Sequence, residues 1–328
     1  MFDGKVILVT GGTGSFGKTF VKHLLSNFNP LKVIIFSRDE MKQWEMAGNI
    51  SDSRIRFFLG DIRDKERLYR AFSGVDYVVH AAAQKIVPTA EYNPFEAVKT
   101  NIIGAMNIID VAIDRKVDKL VALSTDKACL PINLYGGTKL ISDKLFISGN
   151  QYSRPNSTKF SVVRYGNVMG SRGSVIPLFR SQIPKGFVTI TDERMTRFMV
   201  TLEQGIEMVI LALQDMQGGE MYVRKVPSMK IIDIVHAMTD SIDLRFIGMR
   251  PGEKLHEHMI AREDAAFTYE YKNYFKILPA TNSVEVNKLL TEGGKFVDGD
   301  FYYSSDKNSD WMTKSALRKW LIENEGKF

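Results

Sequence analysis

The chain is expected to be an α/β protein: a doubly wound parallel sheet of the Rossmann type with a smaller interleaved α/β substrate lobe. Three observations predict this. Short runs rich in Val, Ile and Leu alternate with amphipathic stretches through the first half. A glycine-rich turn joins the first run to the first helix. Tyr135 and Lys139, four residues apart, open the helix that follows the fifth run.

Residues 5–10, Lys-Val-Ile-Leu-Val-Thr, stop at glycines as a buried parallel strand does. Residues 14–27 follow, with Phe16, Phe20, Leu24 and Leu25 at helical spacing. Residues 32–37 form the second strand, and Asp39 is placed to cap the next helix. Further strands are predicted at 55–59, 77–80, 119–124 and 160–164, with helices at 94–115 and 134–149. Beyond Tyr165 the rhythm loosens. Helices are predicted at 175–185, 202–215 and 230–239 and strands at 220–223 and 244–247, while the last forty or so residues resist assignment. The expected division is a dinucleotide-binding domain over 1–165, with 196–217 returning to it, and a substrate-binding lobe over 166–195 and 218–328.

With 328 residues, 44% hydrophobic and 25% charged, the chain can bury a full core. Its formal charge of +6 is spread along the chain, which argues against nucleic-acid binding and allows an anionic substrate. Cys129 is the only cysteine, so internal disulfides and multi-thiolate zinc sites are excluded. No apolar run reaches the roughly 20 residues a membrane span needs. The opening Met-Phe-Asp-Gly-Lys leads straight into a strand and does not read as a secretory leader, so a cytoplasmic location is expected.

In the first turn, Gly11, Gly14 and Gly17 are spaced GxxGxxG, with Thr13, Ser15 and Phe16 between them. Such a turn lets a backbone approach a pyrophosphate at a helix N-terminus. The second strand ends Ser37-Arg38, where a carboxylate would suit NAD and an arginine suits the 2′-phosphate of NADP. NADP is therefore expected, the alternative being a solvated Arg38 with Asp39 or Glu40 on the ribose. Asp61, followed by Ile62, is placed either to meet the adenine or to cap a helix. Ala81, Ala82 and Ala83 are small where a cofactor would lie, and His80 reads as a core residue.

The fifth run ends Ser124-Thr125-Asp126-Lys127. Tyr135 and Lys139 share a helix face, so the lysine is expected to favour the phenolate. Ser124 is placed to hold a substrate hydroxyl. That trio suits hydride transfer at a carbinol, but Asp126 and Lys127 add an acid and a base that alcohol oxidation does not need. For them to work, burial must raise the Asp126 pKa and lower that of Lys127. Arg197 and Arg250 suit a diphosphate, or alternatively salt bridges.

With these motifs in register, the chain resembles the extended short-chain dehydrogenase/reductase superfamily over nearly its full length. Residues 11–18, 91–94, 124–129, 131–135, 163–168, 170–174, 195–198 and 250–254 sharpen the resemblance. They point to the UDP-N-acetylglucosamine 4,6-dehydratases that invert C5 and begin pseudaminic acid synthesis. The resemblance implies a homo-oligomeric lyase that oxidises C4, eliminates water across C5–C6 and returns hydride to C6. It implies Thr125, Asp126 and Lys127 for elimination, Tyr135 and Lys139 for hydride transfer and the cofactor, and Lys85 beside both ligands. It further implies Asn167, Arg172, Val175, Thr189, Arg197, Arg250 and Glu253 around the UDP half. Ile86, Leu130 and Gly137 depart from the pattern, which would carry a polar residue, an asparagine and an alanine there. A C4 epimerase, a retaining dehydratase (expected to carry Asp-Glu instead) and a non-catalytic nucleotide or redox sensor are the alternatives.

Overall fold

A computed structural model describes residues 1–154, 157–171, 173–281 and 291–325. Six strands carry the frame: β1 (Val6–Thr10), β2 (Lys32–Ser37), β3 (Ile55–Leu59), β4 (Tyr77–His80), β5 (Lys119–Thr125) and β6 (Lys159–Tyr165). They run parallel in the spatial order β3-β2-β1-β4-β5-β6, with β1 between β2 and β4. This is the doubly wound order, in which ligands bind at the carboxyl ends where the winding reverses. β1 is buried at all five positions, as expected of a strand covered by helices on both faces.

Beyond β6 the same sheet continues. Met221–Arg224 pairs parallel with β6, then Tyr274–Ile277, Thr268–Glu270 and Lys295–Phe296 add antiparallel strands, ten in all among the described residues. Val223, Phe275 and Ile277 thereby join the core that holds Ile7, Leu8, Val78 and Val121. A second core lies apart, where Ile176, Phe179, Val188, Ile190, Ile234, Val235, Leu317 and Leu321 pack together. It unites the helices Val175–Gln182, Ile231–Met238 and Lys314–Glu323 with the paired strands Phe187–Ile190 and Asp243–Phe246.

The helix predicted over 94–115 is three consecutive pieces. Pro94–Val98 is α-helical, Lys99–Ile103 is a π-turn, and Gly104–Asp114 resumes the α-helix. The extra residue accommodated by the π-turn projects Asn101 sideways. Its amide donates to the Gln84 carbonyl at 2.9 Å and to Thr138 Oγ1 at 3.0 Å, while its oxygen accepts from the Gln84 N–H at 2.8 Å. Asn101 thus ties the loop after β4 to the helix Leu134–Tyr152. Asp39 caps the helix Glu40–Asn49, accepting from Lys42 N as expected.

Candidate active site

The glycine turn after β1 is shaped by close approach. Gly11 holds φ +65°, and a Cβ there would come within 2.8 Å of Ala82 N and 2.9 Å of the Ala81 carbonyl. A Cβ on Gly17 would be 2.5 Å from Gly12 Cα. The helix Ser15–Asn27 starts after Gly14 with no side-chain cap and no acidic residue in its first turn. Its N–H groups and dipole are open to an anion, so the turn fits a dinucleotide pyrophosphate. Thr13 is buried, and Phe16 stacks on Phe20.

At the end of β2, Ser37 is buried under Gln43, whose amide reaches Ser37 Oγ at 3.2 Å. Arg38 is 65% exposed at its side chain, with Nη1 3.7 Å from Asp61 Oδ2. Asp61 is held mainly by Arg63 at 2.7 Å; burial pushes its pKa up, but these arginines pull it below the usual carboxylate range. It caps no helix: Asp64 caps Lys65–Ala71. Ile62 is buried against Gly104, where a Cβ would meet it at 2.7 Å. His80 is a core residue, bonded to Thr10 Oγ1 at 2.7 Å and pushed down to about 3 by burial. Ala81, Ala82 and exposed Ala83 lead to Lys85, whose ammonium is lowered by burial and by the charge of Lys127.

The end of β5 and the helix Leu134–Tyr152 bring together the candidate reactive residues. Asn133 caps that helix, accepting from Gly136 N at 2.7 Å. Gly136 lies against the Asp126–Ala128 turn, since a Cβ there would be 2.2 Å from the Lys127 carbonyl oxygen, whereas a Cβ on Gly137 would meet open space. Thr125 donates to Asp126 Oδ1 at 3.0 Å and shares a hydrogen bond with the Tyr135 phenol. Ser124 points the other way, as alternation along a strand requires. Its hydroxyl donates to buried Asp143 at 2.6 Å, and Asp143 pairs with Arg164 at 3.3 Å. Ser124 is thus engaged with Asp143, and it is Thr125 that reaches the Tyr135 phenol.

Lys127 Nζ lies 3.1 Å from Asp126 Oδ1 and 3.2 Å from Glu257 Oε1. Asp126 and Glu257 are both buried, each with one carboxyl oxygen that has no hydrogen-bond partner. Two carboxylates share one ammonium, and only one can be well compensated. Glu257 also has Arg197 Nε at 3.9 Å, and although burial pushes it up, the charges of Lys127, Arg197 and Lys254 bring it below its ordinary range. Asp126 is pushed up, by burial first and then by Glu257, as expected. For Lys127 the structure corrects the expectation. Burial lowers it, but Asp126 and Glu257 outweigh burial and the amine is held as an ammonium above its ordinary value.

Tyr135 is corrected too. Burial pushes the phenol up to about 12, against the smaller pull of Lys127 and the Thr125 hydrogen bond. Lys139 is lowered by burial, and its amine donates to the Leu123 carbonyl at 2.8 Å. The positive charge that acts most on the phenol comes from Lys127.

Of the residues expected at the UDP half, Arg172 lies outside the described residues. Arg197 is buried and its guanidinium is committed, donating to the carbonyls of Thr196 at 2.7 Å, Leu255 at 3.1 Å and Lys254 at 3.0 Å. It braces the 254–257 segment rather than presenting a free fork to phosphate. Arg250 is half-exposed with Glu253 at 3.8 Å, and Glu253 keeps one buried oxygen without a hydrogen bond. Asn167 opens a two-residue strand beside Thr196–Val200, Val175 starts its helix, and Thr189 is bonded to Gln182 at 2.8 Å. Glu257 was not singled out in the sequence. The nearest signal is its place three residues beyond Lys254, in the segment that begins at Arg250.

Residues 7–279 match the family described as polysaccharide biosynthesis protein. The chain is 51% identical, over 99% of its length and 100% of the relative's, to an inverting UDP-N-acetylglucosamine 4,6-dehydratase of Campylobacter jejuni subsp. jejuni serotype O:23/36, strain 81-176. The X-ray structure of Pen from Bacillus thuringiensis superposes with a TM-score of 0.90 at 38% identity, covering 99% of both chains. DesIV, a dTDP-glucose 4,6-dehydratase from Streptomyces venezuelae solved with NAD bound, superposes with a TM-score of 0.69 at 25% identity, over 76% of this chain and 86% of that one. With its glycine turn, Tyr-x-x-x-Lys helix and doubly wound sheet, the chain belongs to the polysaccharide biosynthesis protein family and to the short-chain dehydrogenase/reductase fold.

Proposed function

We propose that this chain is an NADP-dependent UDP-N-acetylglucosamine 4,6-dehydratase that inverts C5, a hydro-lyase working in the cytoplasm as a homo-oligomer. The observation that carries this reading is the contact at 3.1 Å between fully buried Asp126 and partly buried Lys127, beside the tyrosine at the end of β5. A C4 epimerase would have no use for that pair.

Tyr135, with Thr125 bonded to its phenol, first gives up its own proton to solvent, a loss that the Lys127 charge and the Thr125 hydrogen bond favour against burial, and as phenolate takes the proton of the C4 hydroxyl. A nicotinamide dinucleotide supplies the redox chemistry, accepting hydride from C4 and giving it back at C6. With C4 a ketone, the C5 proton becomes acidic because its anion is an enolate. Lys127 passes its proton to Asp126 across their contact, producing an amine and a carboxylic acid together. The amine removes the C5 proton, and the acid protonates the departing C6 hydroxyl, which leaves as water. Lys127 is then again an ammonium and Asp126 a carboxylate, so the pair ends as it began, and the enolate left by hydride addition at C6 takes a proton from solvent at C5 on the opposite face, which offsets the one given up by Tyr135. Low dielectric around the pair makes the neutral amine-plus-acid form accessible, which exposed side chains would not allow.

Ser37 and Arg38 are assigned to the 2′-phosphate, supported by Asp39 being engaged as a helix cap and with Lys42. The dinucleotide is assigned to 1–165 with 196–217, and the sugar nucleotide to 166–195 with 218–328. In that lobe Arg250, half-exposed and 3.8 Å from Glu253, is assigned as the diphosphate clamp, and Arg197 braces the 254–257 segment. Self-association is supported by exposed apolar side chains on the helices after β4, Tyr92 and Phe95 among them.

The test is incubation of purified protein with UDP-N-acetylglucosamine and NADP in deuterated water. Loss of one water, with deuterium at C5 and inverted configuration there, is expected. An epimer of unchanged mass, or a C5-retained keto sugar, would overturn the reading.

A further inference from the structure

Glu257 comes to the reactive centre from a distant part of the chain, and its backbone is pinned there. Its N–H donates to Ser305 Oγ at 2.9 Å, and its carbonyl accepts from Ser305 N at 2.8 Å. Ser305 is itself fully buried and bonded to Thr196 Oγ1 at 2.6 Å. Held this way, the carboxylate presents Oε1 to Lys127 Nζ at 3.2 Å, closer than to Arg197 Nε at 3.9 Å. Arg197 already spends its terminal nitrogens on backbone carbonyls. Neutralising Arg197 therefore does not account for Glu257: its nearest charge is the amine of Lys127.

We propose that Glu257 is a positioning residue of the elimination centre, whose anionic carboxylate fixes the Lys127 amine against Asp126 and sets the pH range over which that pair carries a single proton. The inference rests on the dehydratase reading for its catalytic consequence. The charges and titratable groups facing Lys127 are Asp126 on its own turn, Glu257 and Lys254 on the 250–257 segment, Arg197 on its strand, Lys85 on the loop after β4, and Tyr135 on the helix. Of these, Glu257 supplies the second negative charge. An adjacent anion favours every protonated form of the pair, so its removal lowers both of the pair's proton-binding steps. Turnover needs one shared proton: a second blocks the amine, and loss of the only one removes the acid. Both limbs of the rate profile should therefore move to lower pH together.

The experiment compares Glu257→Gln and Glu257→Asp with the parent enzyme, following kcat for UDP-N-acetylglucosamine dehydration against pH with NADP present. Glu257→Gln should shift both limbs acidward by about one pH unit, a tenfold change in each proton equilibrium, while KM moves less than about threefold. Glu257→Asp keeps the charge and should return both limbs to their parent positions. A uniform fall in kcat with unmoved limbs would overturn the proposal, leaving Glu257 a structural brace. If Glu257→Gln does not fold, Glu257→Asp decides, because shifted limbs in that variant would also overturn it. Competitive acylation of Lys127 with acetic anhydride, read by mass spectrometry, reports the same amine without turnover. Its midpoint should fall in Glu257→Gln, and an unchanged midpoint counts against the proposal even if the parent protein proves not to be a dehydratase. Failure of the parent to release water sinks the dehydratase reading alone.

Discussion

At the β1 turn a site is shaped by side chains that are missing, those of Gly11 and Gly17; at the end of β5 one is made by charges that are added, an ammonium wedged between two carboxylates. The first is nearly local: its glycines lie within seven residues, and the backbone that forbids a Cβ is that of Gly12 in the same turn and of Ala81 and Ala82 just beyond β4. The second is assembled from residues 125–127, 135, 197 and 257, which only the finished fold brings together. A nucleotide-binding turn can thus be inherited as a short segment. The proposed elimination would depend on the lobe being in place, because Glu257 comes from it.

The sharpest way to break the comparison is at the charged end. Asp126→Asn or Lys127→Ala should lower kcat for water loss by roughly a thousandfold while leaving dinucleotide affinity unchanged, measured by product formation and by titration calorimetry. An equal loss of both would mean that the two regions are not separable. Next, Gly136→Ala forces a Cβ onto the Lys127 carbonyl and should cost about 3 kcal/mol of stability in denaturant unfolding, with activity falling alongside. Arg38→Ala tests the other end, and NADP affinity should drop roughly 10- to 100-fold with NAD affinity unaltered. An equal fall for both dinucleotides would show that Arg38 does not read the 2′-phosphate. The smallest effects are gains. Gly137→Ala adds a methyl into open space within a helix and should stabilise by about 1 kcal/mol. Leu130 holds φ +48°, where asparagine is better tolerated, so Leu130→Asn should add roughly 0.5–1 kcal/mol.

Much of the frame is legible because β1, β2, β4, β5 and β6 are largely apolar runs whose burial on both faces writes itself into composition, while β3, at the sheet edge, is only partly buried. The helix Leu202–Asp215 was read at its true bounds, with Thr201 and Gln204 forming a capping box at its start. Strands such as Phe187–Ile190, Ser228–Lys230 and His258–Ile260 were missed. They span three or four residues and exist because a distant partner pairs with them, not because their own pattern demands it. At the site, Thr125, Asp126, Lys127 and Tyr135 lie together as their spacing suggests, whereas Ser124 faces Asp143, because alternation along the strand end turns it away from Thr125. The direction of the Lys127 shift was misjudged, because burial can be guessed from position whereas a carboxylate about 130 residues away cannot.

The π-turn at Lys99–Ile103 places a constraint on how this protein can change over evolutionary time. One residue of helix is worth about 100° of rotation. Deleting a single residue there would restore a regular helix and swing Asn101 away from both Gln84 and Thr138. Insertions and deletions should therefore be purged from this stretch while ordinary substitutions on its outer face drift freely, so that its length varies less among descendants than its composition.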